Sequence, residues 1–242
     1  MRPGTLYTVG VGPGDPELLT LKAARILQVV PVIAFFAKRG RAGHARGIVE
    51  EHLAPSVTEL RFDYPFTTEI GLQDRAYRDG IGRFYDQSAA SLACALDEGR
   101  DVALLCEGDP FFYGSSMYLF DRLRAAYRVE IVPGITGMSG CWAAAALPIT
   151  HGDDVLTVLP GTLDAGELAR RLAETDAAVI MKVGRNLAKI RTALEAAGLM
   201  ERAIYVERGA MTEERVLKLR ELADAAAPYF SMILVPGRQR ER

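Results

Sequence analysis

The amino-acid sequence predicts an α/β protein of two domains, each built from short strands that alternate with helices. Apolar runs alternate with amphipathic helical patterns along the chain, and turns that contain glycine or proline follow many of these runs. This alternation is typical of a mostly parallel sheet with helices on both faces. A polar, glycine-containing stretch at residues 149–154 interrupts it. We therefore expect domains at 1–148 and 153–242, with the default ligand site in the cleft between them.

In the first domain, apolar and β-branched runs predict strands, and apolar residues three and four positions apart predict helices. The predicted strands are Leu6–Val11, Val32–Phe36, Val57–Leu60, Asp101–Cys106 and Val129–Val132. The predicted helices are Glu17–Gln28, Gly43–Leu53, Leu72–Asp97, Ser115–Ala126 and Gly137–Ala146. The pattern at Leu72–Asp97 has charged residues along one side, which indicates a helix at the surface.

The second domain repeats the same alternation on a smaller scale. Its predicted strands are Val155–Leu159, Ala177–Val183, Arg202–Val206, Val216–Leu219 and Phe230–Val235. Its predicted helices are Asp164–Thr175, Leu187–Ala197 and Leu219–Ala227.

Composition excludes several classes of function. A net charge of −2 over 242 residues gives no electrostatic reason to expect nucleic-acid or membrane binding. No secretory signal is visible, and the most apolar stretch, Ile26–Ala37, is too short to cross a bilayer. We therefore expect a cytoplasmic protein whose three cysteines are buried free thiols. The three histidines lack partners at ligand spacing, so we expect no metal site.

Four glycine-rich loops follow predicted strands and indicate a composite binding rim. The first, which begins at Gly10, resembles a nucleotide loop but has Asp15 at the third glycine position of the dinucleotide motif. The others are Glu107–Phe111, Pro133–Gly137 and Lys182–Arg185. Because the carboxyl ends of parallel strands lie at one edge of a sheet, we expect the three loops of the first domain to gather there.

Four ordered motifs resemble the tetrapyrrole (uroporphyrin-III C/corrin) methyltransferase family: GVGPGDPELLTL at 10–21, CEGDPFFYGSSMYL at 106–119, IVPGITGMSGCWAAAALP at 131–148 and PYFSMILV at 228–235. The resemblance spans the whole chain. It implies the fold of class III S-adenosylmethionine-dependent methyltransferases: two α/β domains with the cofactor in the cleft between them, and a homodimer. It also implies S-adenosyl-L-methionine as cofactor, S-adenosyl-L-homocysteine as product and a tetrapyrrole as substrate.

Finer details resemble the precorrin-2 C-20 methyltransferase branch of that family. They are the stretch Gly108–Leu119, the segment Tyr64–Thr68 and the carboxyl-terminal strand at Pro228–Ile233. The resemblance implies methylation of carbon 20 of precorrin-2 to give precorrin-3A. The alternatives are another tetrapyrrole methylation, such as that of uroporphyrinogen III, cobalt-precorrin-2 as the substrate, or a non-catalytic tetrapyrrole-binding regulator.

The resemblance also implies which residues contact the cofactor, one position at a time. Glu107, Gly108 and Asp109 would hold its methionine and ribose portions, and Phe112 would pack beside it. Thr136 and Gly137 would hold its carboxylate or amino end. In the second domain, Met181, Gly209 and Ala210 would lie against the adenine.

Substrate contacts are predicted partly from the resemblance and partly from charge. The resemblance implies that Pro13 and Gly14 line the substrate trough. The substrate carries eight carboxylates, so cationic residues after the second strand are candidates for binding them. These are Lys38, Arg39, Arg41 and Arg46, with His44 beside them. No side chain is predicted to act as the catalytic base.

Overall fold

The computed structural model describes residues 2–65, 75–223 and 225–237. The chain forms two compact units, residues 1–136 and 137–242. Each unit contains one five-stranded sheet with helices packed against it, which confirms the predicted α/β class. The predicted domain limits at 148 and 153 stay a prediction, and so does the cleft.

The first unit is built on a sheet in the order β3-β2-β4-β1-β5, and every neighbouring pair of strands is parallel. The strands are β1 (Thr5–Gly10), β2 (Val32–Lys38), β3 (Thr58–Tyr64), β4 (Val102–Cys106) and β5 (Arg128–Val132). The α-helices of its described residues are α1 (Leu21–Leu27), α2 (His44–Ile48), α3 (Arg75–Asp97) and α4 (Ser116–Leu123). All five predicted strands are therefore confirmed, with limits shifted by a few residues.

Two apolar clusters cover opposite faces of this sheet because side chains alternate along each strand. On β1, Val9 packs on the face covered by α1 and α2, whereas Leu6 packs on the face covered by α3 and α4. The central strand β4 is buried along its whole length. This double cover explains why the strands read as continuous apolar runs.

The helices of the first unit differ in places from the sequence prediction. Glu17–Gln28 divides into a 3₁₀ turn at Pro16–Leu18 and α1, because Thr20 caps α1 by accepting a hydrogen bond from the Ala23 N–H. Residues 72–74 of the predicted third helix and residues 66–68 of the segment Tyr64–Thr68 lie outside the described residues.

The second unit has a mixed sheet in the order β6-β7-β10-β8-β9, in which only β6 and β7 are parallel. Its strands are β6 (Leu156–Pro160), β7 (Ala177–Met181), β8 (Ile204–Glu207), β9 (Arg215–Lys218) and β10 (Ser231–Val235). Its helices are α5 (Gly137–Ala144), α6 (Ala165–Ala173) and α7 (Leu187–Ala196). No helix among the described residues is long and apolar enough to cross a membrane.

The helix predicted at Leu219–Ala227 is wrong. Only Leu219–Glu221 forms a 3₁₀ turn, and the backbone is extended again at Leu222. Leu219 and Leu222 are both buried in the core of the unit, and Arg191 donates a hydrogen bond to the Leu222 carbonyl. A single turn places both leucines in the core, and the hydrogen bond from Arg191 to the Leu222 carbonyl holds the backbone that follows the turn.

Candidate functional site

Three of the four loops predicted to form a binding rim meet at one edge of the first sheet, and the fourth, Lys182–Arg185, belongs to the second unit. The carboxyl ends of all five parallel strands lie at this edge, which we call the rim of the first unit. The loops after β1, β4 and β5 are neighbours because β1 pairs with both other strands. The edge matches the place where parallel α/β sheets bind ligands.

Glycines let these three loops approach one another more closely than any side chain would allow. A Cβ atom on Gly134 would lie 2.2 Å from the Gly108 carbonyl oxygen, and one on Gly10 would lie 2.6 Å from the same oxygen. Gly108 also pairs with Gly12 through backbone hydrogen bonds in both directions, at 2.8 and 3.4 Å. We call this contact of Gly10, Gly12, Gly108 and Gly134 the glycine junction.

Asp109 fastens the glycine junction with its side chain. One carboxylate oxygen accepts a hydrogen bond from the Phe111 N–H at 2.9 Å, and the other accepts one from the Gly134 N–H at 3.1 Å. The carboxylate therefore ties the loop after β4 to the loop after β5. Each oxygen keeps a further lone pair, so the predicted contact between Asp109 and the cofactor stays open to test.

Glu107 connects the rim to the basic segment after β2. Its carboxylate accepts a hydrogen bond from the Ala45 N–H at 3.2 Å. Desolvation by the surrounding protein raises the pKa of Glu107, although the residue is exposed. Hydrogen bonds from its own N–H and from the Ala45 N–H, and then the nearby charge of His44, oppose the rise. A carboxylate in this setting can accept hydrogen bonds from the hydroxyl or amino groups of a ligand.

The remaining predicted cofactor and trough residues of the first unit also lie on these loops. Phe112 is half-buried, and its ring meets the Tyr113 ring edge-on with 5.0 Å between centroids. Thr136 is half-buried at the end of the loop after β5. Pro13 is buried and Gly14 half-buried in the turn after β1, where Gly14 has a φ of 151°.

The predicted substrate cations do not share one environment. Lys38 is exposed at the end of β2, Arg39 and Arg41 are exposed in the turn that follows it, and His44 is exposed at the start of α2. Arg46 is ion-paired with Glu59 at 2.7 Å and with Glu50 at 3.7 Å. Its charge is therefore largely compensated within the protein, which weakens its case as a substrate contact.

Sequence reasoning missed Arg61, which holds the basic turn in place. Its guanidinium donates hydrogen bonds to the carbonyl oxygens of Lys38 at 3.3 Å and Arg41 at 2.7 Å. It also pairs with Asp63 at 2.8 Å. The spacing of Arg61 and Asp63, two residues apart on one face of a strand, was the signal available in the sequence.

In the second unit, the predicted adenine-side residues lie at the ends of β7 and β8. The Met181 carbonyl accepts a hydrogen bond from the Gly161 N–H at 2.7 Å, and the chain bends directly afterwards, where Lys182 has a φ of 57°. Gly137, predicted to hold the other end of the cofactor, begins α5 in this unit, and a Cβ there would lie 3.1 Å from the Met232 side chain.

Gly209 and Ala210 lie in a tightly constrained loop after β8. A Cβ on Gly209 would lie 2.9 Å from both Cα and Sγ of Cys141, so close packing against α5 requires glycine there. Ala210 has a φ of 61°, and its N–H donates a hydrogen bond to Glu214 at 2.8 Å. The Ala210 N–H is therefore already bonded within the loop, and the predicted contact of Ala210 with the adenine stays a prediction.

The prediction that all three cysteines are buried is only partly confirmed. No group of three or more histidine, cysteine, aspartate or glutamate residues within the described ranges could hold a metal ion. Cys106 and Cys141 are buried, and burial raises the pKa of each thiol to about 12. The prediction that Cys94 is buried is wrong, because this residue is exposed on α3.

The sequence is similar to those of known methyltransferases. The sequence model of the Tetrapyrrole (Corrin/Porphyrin) Methylases matches residues 5–223. The chain is 57% identical over 234 residues to a precorrin-2 C(20)-methyltransferase from Sinorhizobium, covering 97% of this chain and 96% of that protein. It is 32% identical over 238 residues to a cobalt-precorrin-2 C(20)-methyltransferase from Salmonella typhimurium, with 96% of each covered.

Among solved structures, the chain is similar to a uroporphyrin-III C-methyltransferase from Thermus thermophilus in complex with S-adenosylhomocysteine. The TM-score is 0.67 and the sequence identity 26%, covering 96% of this chain and 92% of the other.

Proposed function

Because the chain belongs to the tetrapyrrole (corrin/porphyrin) methylase family, we propose that it transfers a methyl group from S-adenosylmethionine to carbon 20 of precorrin-2, giving precorrin-3A. The observation that carries this proposal is the 57% identity, over nearly the whole chain, with a precorrin-2 C(20)-methyltransferase. The lower identity of 32% with the cobalt-precorrin-2 enzyme favours the metal-free substrate.

The residues of the rim fit the cofactor by their chemistry. The amino and hydroxyl groups of S-adenosylmethionine need acceptors, which the carboxylates of Glu107 and Asp109 supply. The half-buried Phe112 offers an apolar surface beside them. We propose that Gly108 and Asp109 act largely by fixing the geometry of the loops, since both already make bonds across the glycine junction.

Contacts on the adenine side are proposed from the second unit. Met181, Gly209 and Ala210 lie where their backbone is held by hydrogen bonds or close packing. Gly137 and Thr136 are proposed for the methionine end, as the family resemblance implies. A backbone held in this way binds a ligand with little further loss of conformational freedom.

The chemistry demands alignment more than an activated side chain. S-adenosylmethionine, when bound, supplies an electrophilic methyl carbon on a sulfonium leaving group. The protein then has to hold the electron-rich carbon of the substrate in line with that bond and exclude water, and proximity of this kind lowers a barrier substantially. The rim is suited to this task, because Asp109 joins two of its loops and Arg61, on β3, holds the neighbouring turn after β2.

We further propose a cytoplasmic homodimer. The three cysteines are widely spaced in the sequence and odd in number, which supports a reducing compartment over a disulfide framework. Family resemblance alone supports the dimer, and sedimentation equilibrium tests it.

The test is anaerobic incubation with precorrin-2 and S-adenosylmethionine that carries a ¹³C-labelled methyl group. Parallel reactions contain uroporphyrinogen III or cobalt-precorrin-2. We expect a single labelled product from precorrin-2, and faster turnover than with its cobalt complex. Turnover of uroporphyrinogen III alone would contradict the proposal. Binding of S-adenosylhomocysteine with no methylated product from any substrate would favour a non-catalytic binding protein.

A further inference from the structure

A cavity of about 310 Å³ opens beside the basic turn of the first unit. Its walls come from the turn after β2, the end of β3 and one side of α3. The lining residues include Arg39, Asp63, Pro65, Arg83, Phe84 and Gln87. Arg83 was not among the residues predicted from the sequence to bind a ligand.

The cavity lies at the same edge of the sheet as the glycine junction. Arg39 directly follows β2, and Pro65 directly follows β3, so both lie at the carboxyl ends of parallel strands. β2 lies between β3 and β4 in the sheet. Neighbouring strands are about 4.8 Å apart, so the cavity begins within about 10 Å of the loop after β4.

The cavity carries an excess of positive charge. Asp63 is its acidic group, and Arg61 already binds that carboxylate through Nε at 2.9 Å and a terminal nitrogen at 2.8 Å. Within the part of the chain that the structure describes, neither Arg39 nor Arg83 forms an ion pair. Two guanidinium groups therefore line the cavity with no ion-pair partner among the described residues.

The walls are held by packing and hydrogen bonds. The guanidinium of Arg61 binds the carbonyls of Lys38 and Arg41, and so fixes the turn that carries Arg39. Phe84, on the opposite wall, packs against Tyr64 and Tyr85 with ring centroids 5.2 and 5.3 Å apart. The cavity is thus formed before any ligand arrives.

We propose that Arg39 and Arg83 bind a carboxylate side chain of the tetrapyrrole substrate in this cavity, with Arg61 as a positioning residue. Guanidinium groups form paired hydrogen bonds with carboxylates, and the rigid walls reduce the entropy lost on binding. The inference rests on the proposed function, because that function supplies a substrate with several peripheral carboxylates.

The test compares Arg39→Gln, Arg83→Gln and the double variant with the wild-type protein. Arg124→Gln serves as the matched control, because Arg124 is exposed and caps the far end of α4. Steady-state kinetics under anaerobic conditions give KM and kcat for precorrin-2. Calorimetry gives Kd for precorrin-2 and for S-adenosylhomocysteine, and thermal unfolding reports whether each variant is folded.

We expect each single substitution to raise KM and Kd for precorrin-2 about tenfold, since a charge-assisted hydrogen bond contributes a factor of that order. The melting temperature and the Kd for S-adenosylhomocysteine should match those of Arg124→Gln. Arg83→Lys should recover part of the lost affinity.

Two results would overturn the cavity proposal: unchanged affinity for precorrin-2 in the double variant, or a loss confined to S-adenosylhomocysteine. The second result would assign these arginines to the carboxylate of the cofactor. A wild-type protein that binds precorrin-2 without methylating it would refute the proposed function alone, and calorimetry would still decide the role of the cavity.

Discussion

Replacement of Asp109 by alanine separates two roles that this carboxylate can have at the rim. In the structure it accepts hydrogen bonds from the Phe111 and Gly134 N–H groups, and so joins two loops before any ligand binds. A group that only contacts the cofactor has no such role in the free protein. The stability of the unliganded protein therefore distinguishes the two roles.

The expected magnitude follows from the two hydrogen bonds. The Phe111 N–H is exposed, so in the variant a water molecule can replace the lost carboxylate as its hydrogen-bond acceptor. The Gly134 N–H is partly buried, so its lost hydrogen bond is replaced less well. A hydrogen bond to a charged group contributes about 1.5–3 kcal/mol, so we expect a loss of about 2 kcal/mol, mainly from Gly134. For a chain of this size that corresponds to a fall in melting temperature of about 4–8 °C.

The assay is thermal unfolding of the unliganded protein, followed by titration with S-adenosylhomocysteine. Asp109→Asn keeps one acceptor oxygen and should show a smaller fall. Asp121→Ala is the matched control, since Asp121 is an exposed aspartate on α4 whose pair with Arg124 spans 3.9 Å. An unliganded Asp109→Ala protein as stable as wild type, with affinity for S-adenosylhomocysteine lost, would refute the junction role.

Three further outcomes are expected. Gly134→Ala should lower the yield of folded protein, because its Cβ would lie 2.2 Å from the Gly108 carbonyl oxygen. The control is Gly47→Ala on α2, whose Cβ meets nothing within 4 Å and which should be neutral or stabilising by about 0.5–1 kcal/mol. Equal yields of the two variants would contradict this. Because the pKa of Glu107 is raised, its protonated form favours the fold, and that contribution is present below pH 4.5 and lost as pH rises through the raised pKa. Glu107→Gln should therefore gain stability over wild type as pH rises, and a difference independent of pH would contradict the cause given. Alkylation of the native protein at mildly alkaline pH, followed by mass spectrometry, should modify Cys94 but neither buried thiol, whose pKa is about 12.

Much of the first unit could be predicted from local sequence. Its strands are continuous apolar runs because the sheet is covered on both faces, and the loops after β1, β4 and β5 follow from where those runs end. Parallel strands bring those loops to one edge, whereas their direct contact depends on the position of β1 between β4 and β5, which the sequence did not predict. The family motifs then fall on the same loops.

Other features depend on contacts between distant residues. The helix predicted at Leu219–Ala227 has a helical pattern, but burial of Leu222 and its contact with Arg191 end it after one turn. The antiparallel strands of the second unit likewise depend on pairing direction, which apolar runs do not encode.

In the candidate site, too, the sequence predicts which residues lie on the loops but not which distant residues they contact. Gly108 and Gly134 read as ligand-binding glycines, but their packing shows that they first serve contact between loops. Arg46 reads as a free cation, but Glu59, distant in sequence, binds it. The cavity could not be predicted from the sequence, because Arg39 and Arg83 come together only through the packing of α3 beside β3.

The central claim is that this chain methylates carbon 20 of precorrin-2, and the position of the transferred methyl carbon tests it most directly. After anaerobic turnover with ¹³C-methyl S-adenosylmethionine, carbon NMR of the isolated product should show one labelled methyl group, bonded to carbon 20. A label at any other ring position, or a product formed from uroporphyrinogen III but not from precorrin-2, would contradict the claim.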